Sequence, residues 1–301
     1  MSTFGSINPT KYERGFSLME VLISSGISSV VMAMIISSVM VVRDGFYTDV
    51  VRTRINSNLR SSTDIIAMNI RQAGENLQRT FPAILVTDEA IDGATTLTLR
   101  RNLVPEILTL CTAASSGTQS LYVSSSSNSN SACIASNVEP LYDVFDELRV
   151  DNGNSLRIFI YDRSAQVGEF LNFTTGGQSG GEYYLFTNSI SRDYPALQTS
   201  IYAIEEYSFE LDSENETLQL FIDGDITSPQ AVAFSISDFS VELTMDDGNT
   251  LTSFSETDEK NWKEIRNIKI SLAGNEAYKG ETISNSMTAE YFPRNVLSYD
   301  G

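Results

Sequence analysis

The most informative segment of the chain lies near its start: Arg14-Gly15-Phe16-Ser17-Leu18-Met19-Glu20-Val21-Leu22-Ile23-Ser24. It opens an apolar run of 27 residues, from Phe16 to Val42, in which Glu20 is the only ionisable side chain. A helix of that length measures about 40 Å at about 1.5 Å per residue, which exceeds the roughly 30 Å of a bilayer's hydrocarbon core. A carboxylate in such a segment costs about 2.5–3.5 kcal/mol on insertion, so Glu20 is predicted to have a function and a partner.

An ordinary secretory signal, or a membrane anchor that happens to contain a Glu, is the simplest alternative for this segment. A signal peptide has an apolar core of about 7–15 residues, with its cleavage site after that core. Here the run is longer, and the Gly15-Phe16 junction lies before it. Lys11 and Arg14 precede the run, and no basic residue follows until Arg43. The positive-inside tendency therefore predicts that the first fifteen residues stay in the cytoplasm and that the bulk of the chain lies outside it.

This arrangement resembles the class III leader of type IV pilins and type II secretion pseudopilins over residues 14–42. The resemblance implies that a prepilin peptidase cuts between Gly15 and Phe16 and methylates the new amino terminus at Phe16. It also implies that Glu20 is the family's acidic position and pairs with the amino-terminal group of a neighbouring subunit. Such pairing relieves two desolvation costs at once, because either charge alone is costly to bury.

Beyond the apolar run, the pattern predicts the second half of one long helix. Apolar residues recur at intervals of mostly three or four, namely Val50, Ile55, Leu59, Ile66, Ile70, Ala73 and Leu77. Gly74 is predicted to cap the carboxyl end. The expected segments are a cytoplasmic leader (1–15), a membrane-spanning and filament-core helix half (16–42), an amphipathic helix half (43–79) and a β-rich head (80–301).

The head reads as short strands separated by turn signals. The predicted strands are Thr95–Arg100, Glu106–Thr112, Ser120–Val123, Leu156–Tyr161, Tyr183–Thr187, Ile201–Leu211, Thr217–Ile222, Ala231–Ile236, Phe239–Met245, Ile265–Leu272 and Met287–Phe292. Tight-turn dipeptides are Asp92-Gly93, Asn152-Gly153, Asp223-Gly224 and Asp247-Gly248. No helix of ten or more residues is expected between the strands, so the sheet should be largely antiparallel. The predicted class is α+β, with the outer half of the long helix packed on this sheet.

Charge is unevenly distributed along the chain. From Arg43 to Arg79, six Arg face four acidic residues, whereas from Thr80 onward twelve basic residues face thirty-three acidic ones. The head therefore carries a formal charge of 12 − 33 = −21. Affinity for nucleic acid comes mainly from Lys and Arg, so direct nucleic-acid binding by the head is not expected. Acidity that keeps an exported domain soluble is the preferred explanation.

The two cysteines, Cys111 and Cys133, are predicted to form a disulfide. An exported domain meets an oxidising compartment, where a cysteine pair is usually bonded. The loop between them contains Ser124–Ser131, which has no apolar residue to hold it in place. Closing a loop of that size contributes about 3 kcal/mol on the chain-entropy model. Two buried thiols are the alternative.

Further matches resemble PilW-type minor pilins. The helix end Ile65–Gly74 is similar to that group's "D-I-R-Q-A-G" string, with Asn69 in the acidic place. Later segments follow the group's order of strands, namely Ile201–Tyr207, Leu218–Leu220, Ile236–Val241, Trp262–Leu272 and Thr288–Asn295. The resemblance implies storage in the bacterial inner membrane with a periplasmic head, then incorporation with other major and minor pilins into an extracellular pilus. A J-type minor pseudopilin of a type II secretion system, in a periplasmic pseudopilus, is the alternative within the family.

Catalytic and metal chemistry finds little support in the sequence. The chain has no His, which excludes Ser-His-Asp, Cys-His and His-metal schemes. Gly177-Gln178-Ser179-Gly180-Gly181 fits G-x-S-x-G, but strand-like residues follow it, which favours a hairpin loop. Asp223–Asp225 and Asp246–Asn249 could offer oxygens to Ca²⁺, although such clusters are usually turns. We expect no enzyme activity, metal or cofactor; a membrane-tethered periplasmic enzyme or binding module is the rival from another class.

Overall fold

The computed structural model describes residues 15–79, 81–88, 95–255 and 261–297. Within them the α+β prediction is confirmed, with two α-helices, fifteen strands and three short 3-10 helices. The α-helices are α1 (Leu18–Gln72) and α2 (Ala135–Asp151). The strands are β1 (Ile84–Asp88), β2 (Thr95–Asn102), β3 (Leu108–Thr109), β4 (Ser120–Tyr122), β5 (Leu156–Asp162), β6 (Val167–Ser179), β7 (Glu182–Thr187), β8 (Thr199–Tyr202), β9 (Ile204–Asp212), β10 (Thr217–Ile222), β11 (Gln230–Phe234), β12 (Ile236–Met245), β13 (Thr250–Leu251), β14 (Ile265–Tyr278) and β15 (Glu281–Tyr291).

Helix α1 is 55 residues long, and the boundary between the two units of the chain falls within it, between Val51 and Arg52. It ends close to the predicted cap. Gly74 has a φ of +79° and donates its N–H to the carbonyl of Arg100 at 2.8 Å. A β-carbon at this position would lie 2.2 Å from the Trp262 ring, so both the backbone conformation and the space require glycine.

The strands form three sheets, and every strand pair between described residues is antiparallel, as predicted. The five-stranded sheet has the order β1-β2-β9-β10-β11, and the four-stranded sheet the order β13-β12-β14-β15. The six-stranded sheet has the order β3-β8-β5-β6-β7-β4. A core of buried apolar side chains lies between this last sheet and α2.

The outer half of α1 packs on the four-stranded sheet. A β-carbon placed on Gly274 of β14 would lie 3.0 Å from Ile55 and 3.7 Å from Leu59, so the missing side chain lets helix and strand approach closely. The hydroxyl of Tyr291 on β15 donates to the carbonyl of Thr63 at 3.5 Å. Of the predicted apolar face, six residues are buried, namely Ile55, Leu59, Ile66, Ile70, Ala73 and Leu77; Val50 is 38% exposed.

The expectation that no long helix separates the strands is wrong. Helix α2 has 17 residues and contains Pro140, which removes one backbone donor and discourages a helical reading of the sequence. Tertiary packing overrides that cost, because Val138, Tyr142 and Phe145 of α2 are buried against the six-stranded sheet. Asn152-Gly153 forms a turn, as predicted, and this turn ends the helix.

Strand boundaries differ from prediction in several places. The run Ile201–Leu211 divides at Ala203 into β8 and β9, which belong to different sheets, so one apolar stretch bridges two layers. Strand β6 covers thirteen residues that the pattern did not reveal, because Gly and Thr interrupt its apolar alternation. Strands β1 and β13 were also unpredicted. The predicted turn Asp92-Gly93 lies outside the described residues.

A buried ion pair links two neighbouring strands of the five-stranded sheet. Arg100 of β2 contacts Glu206 of β9, with 2.5 Å between Nε and Oε2, and both side chains are less than 10% exposed. The guanidinium also donates to the carbonyl of Pro82 and lies 5.1 Å from the ring centroid of Phe159 on β5. Both charges are thus satisfied inside the head.

Candidate functional site

The predicted cleavage site precedes α1 directly. Gly15, Phe16 and Ser17 are non-helical and exposed, and the first helical residue is Leu18. A β-carbon on Gly15 would meet no described atom within 4 Å. Packing among the described residues therefore does not demand glycine at position 15. The part of the leader before Gly15 lies outside the described residues.

Glu20 makes a reciprocal contact that the sequence interpretation did not anticipate. Its Oε2 accepts a hydrogen bond from the backbone N–H of Ser17 at 3.0 Å, and its own N–H donates to the Ser17 hydroxyl at 3.2 Å. This is a capping box, which satisfies two orphan donors at the start of a helix. The spacing Ser17-x-x-Glu20 before an apolar run was the available signal. A carboxylate in the first turn also interacts favourably with the helix dipole.

The apolar half of α1 is exposed along its whole length. Within the described residues α1 is the one helix long and apolar enough to cross a bilayer. No residue of its most apolar 18-residue stretch is buried. Two of its serine hydroxyls are satisfied inside the helix: Ser25 donates to the carbonyl of Leu22 at 3.0 Å, and Ser29 donates to that of Ser25 at 2.8 Å. Such back-bonding removes the penalty of placing a hydroxyl in an apolar surrounding.

Comparison with known families gives one match. Residues 10–36 match the prokaryotic N-terminal methylation motif. The match supports a type IV pilin-like protein. A leader of this type implies processing by a prepilin peptidase and assembly with other pilins in general, and together with the exposed apolar helix it fits a membrane-anchored pilin. No curated protein sequence and no solved structure matches the chain.

The predicted disulfide between Cys111 and Cys133 is present, with 5.6 Å between the two Cα atoms. The serine-rich loop inside it is not loose, contrary to expectation. Ser124 and Ser125 are buried, and Glu182 accepts hydrogen bonds from the N–H of Ser126 at 2.6 Å and from its hydroxyl at 2.8 Å. These hydrogen bonds hold the pKa of Glu182 below its usual value. Polar contacts therefore hold the loop where apolar ones are missing.

The other sequence candidates form turns. Gly180 and Gly181 both have positive φ and connect β6 to β7 as a two-residue hairpin, so the helix that a nucleophile elbow requires does not follow Ser179. Asp225 accepts from the N–H and hydroxyl of Thr227, and Asp247 accepts from the N–H of Asn249. No group of three metal-ligating side chains occurs among the residues that the structure describes.

Asp223, the first residue of one such turn, is half-buried. Burial raises the pKa of its carboxyl, and the hydrogen bond from the Glu206 N–H at 2.8 Å acts in the opposite direction. Arg157 donates to the Asp223 carbonyl at 2.7 Å, and its guanidinium lies over the Phe170 ring. These contacts tie the turn to β5 and β6, which is a structural role.

Proposed function

We propose that this chain is a PilW-type minor pilin of a type IV pilus, with a structural rather than an enzymatic role. Cleavage between Gly15 and Phe16 releases the leader, and the apolar half of α1 packs with the helices of other subunits in the filament core. Before assembly the same segment anchors the chain in the inner membrane with its head in the periplasm. The observation that carries the proposal is the methylation motif on a helix whose apolar half is wholly exposed.

Exposure of this segment is what makes assembly the best-supported role. Large apolar side chains from Leu18 to Val42 are about half exposed or more, and a soluble monomer rarely presents so long an apolar surface. In the membrane, lipid tails cover this apolar surface, and in a filament the helices of neighbouring subunits cover it. Glu20 is the exception, since neither environment offers water. We infer that the methylated amine of Phe16 on a neighbouring subunit supplies its countercharge.

The capping box allows the charge of Glu20 to be tested separately from its local hydrogen bond. Glu20→Gln keeps an acceptor for the Ser17 N–H but removes the charge, because Gln also serves in capping boxes. Ser17→Ala keeps the charge and removes half of the box. We expect Glu20→Gln to impair incorporation into sheared pili as strongly as Glu20→Ala, and Ser17→Ala to impair it less. Normal incorporation of Glu20→Gln would contradict the charge pairing.

Mass spectrometry of the amino terminus tests the processing step. The expected species begins at methylated Phe16, and Gly15→Glu should leave the leader in place. An intact leader in the wild-type chain would favour a membrane-tethered binding module or enzyme. A cut after Val42 would remove the apolar run and contradict assembly through it. Recovery of the processed chain in the periplasm but never in sheared pili would favour the J-type minor pseudopilin.

A further inference from the structure

The exposed face of the outer half of α1 concentrates positive charge in an otherwise acidic protein. Residues 52–72 contain four Arg and one acidic residue, Asp64. We define the basic face as Arg60, Met68 and Arg71 of α1 together with Arg294. All four are exposed, and none of the three Arg forms an ion pair with another described residue. Arg60 and Arg71 are about 16 Å apart along the helix axis.

Arg294 is held beside α1 by its neighbour in sequence. The side-chain amide of Asn295 donates to the carbonyls of Ala73, Gln72 and Arg71, at 2.9, 3.3 and 3.4 Å. A groove of about 550 Å³ results, lined by Met68, Arg71, Gln72, Glu75, Arg294 and Asn295. Met68 is 54% exposed. The basic face is therefore a fixed surface with cations around an apolar centre, although Asp64 and Glu75 offset part of its charge.

Helix α2 carries the opposite charge on its own exposed face. Four exposed carboxylates occur at every fourth residue, Glu139, Asp143, Glu147 and Asp151, and we call them, with Val150, the acidic face. Arg149 pairs with Asp146 and not with these four, none of which has an ion-pair partner among the described residues. Like charges four residues apart destabilise a helix. The acidic face therefore lowers the stability of the free subunit.

We propose that the basic face of one copy of this chain docks against the acidic face of a second copy. The acidic face spans about 18 Å from Glu139 to Asp151, close to the length of the basic face. The signs of charge are complementary, and each face carries one half-exposed apolar residue, Met68 and Val150. Because the two faces differ, the contact is head-to-tail and leaves one face of each kind open, so it can extend along a filament. The inference rests on the proposed function for its setting, since it names the neighbour of this subunit.

Exchange of charge between the two faces tests the contact. The full-length chain in nonionic detergent is examined by sedimentation velocity at low salt, as wild type and as two variants. One is Arg60→Glu/Arg71→Glu, and the other is Asp143→Lys/Glu147→Lys/Asp151→Lys, which makes the net charge of the acidic face positive. Each variant alone sets like charge against like and should associate at least about tenfold more weakly. Their equimolar mixture restores opposite charges at every junction and should recover wild-type association to within about threefold.

A matched control changes the same charge elsewhere. Arg192→Glu/Arg266→Glu alters two exposed arginines outside both faces and should associate like wild type. Added salt at 0.5 M should weaken wild-type association, because it screens exposed charges. Failure of the mixture to recover would overturn the proposal. So would weakening by the Arg substitutions alone, which would show that the acidic face is not what the basic face contacts, or absence of any self-association in the wild type.

Processing is scored separately on the same samples. Mass spectrometry reports whether the chain begins at Phe16, and both faces lie far from that position in sequence. An uncleaved chain that still associates through the two faces would remove the proposed function and keep the contact. A processed, pilus-incorporated chain whose charge variants associate normally would remove the contact and keep the proposed function.

Discussion

The two halves of α1 share one regular helix but bury their apolar residues by different means. Ile35 in the first half is 52% exposed, whereas Ile66 in the second half is fully buried. The apolar side chains of the second half are therefore buried by other parts of the same chain. The first half depends on lipid or on other subunits, which is the condition expected of a segment that moves from a membrane into a filament.

The strongest contrast is between two carboxylates: Glu206 is paired within its own chain, and Glu20 is proposed to pair with a neighbouring subunit. Substituting the first should lower stability, and substituting the second should impair assembly. Glu206→Ala leaves Arg100 buried without a countercharge and should lower the free energy of unfolding by about 3–5 kcal/mol, measured by chemical denaturation. Glu20→Ala should leave that free energy unchanged while incorporation into pili falls. Equal losses of stability in both variants would show that the charge of Glu20 is neutralised within its own chain and not by a neighbouring subunit.

The apolar residues offer a matched pair. Ile66→Ala removes three carbons from a fully buried site and should lower the free energy of unfolding of the head by about 2–5 kcal/mol. Ile35→Ala removes the same atoms from an exposed site and should not change the unfolding of the head. Denaturant melts of both variants in the same detergent make the comparison. A large loss in Ile35→Ala would mean that the first half is buried within its own chain.

Sequence patterns predicted what is local and missed what is long-range. The apolar run, the buried face of α1 and the cap at Gly74 follow from spacing along one helix, so they could be predicted. Helix α2 could not, because its local signals are poor and its stability comes from Tyr142 and Phe145 packed on a sheet that forms from distant strands. The Arg100–Glu206 pair joins residues 106 positions apart and has no local signature. At the candidate site the charge of Glu20 drew attention, while its capping role was present in the spacing from Ser17 and was overlooked.

The serine-rich loop is held by hydrogen bonds and not by apolar contacts, and this can be tested through its pH dependence. The pKa of Glu182 is lowered, first by the backbone hydrogen bond from Ser126, so its contribution to holding the loop is present above the ordinary value of 4.5. That contribution is lost as the pH falls through the lower pKa of the folded state. The amide resonance of Ser126 in NMR spectra should titrate below pH 4.5. Glu182→Gln should abolish that titration, and an unchanged titration in this variant would assign it to another group.

The smallest expected effect concerns the acidic face of α2, where stability and association should move in opposite directions. Glu147 lies four residues from both Asp143 and Asp151, and each like-charge pair of this kind costs a helix about 0.2–0.5 kcal/mol. Glu147→Gln keeps the shape of the side chain and should raise the midpoint of thermal unfolding by about 1–3 °C. The same substitution removes a contact to the basic face of a second copy, so self-association should weaken. A variant that gains stability without losing association would show that the acidic face only keeps the head soluble. A neutral substitution of exposed Glu214, which lies outside both faces, serves as the control for the loss of one charge.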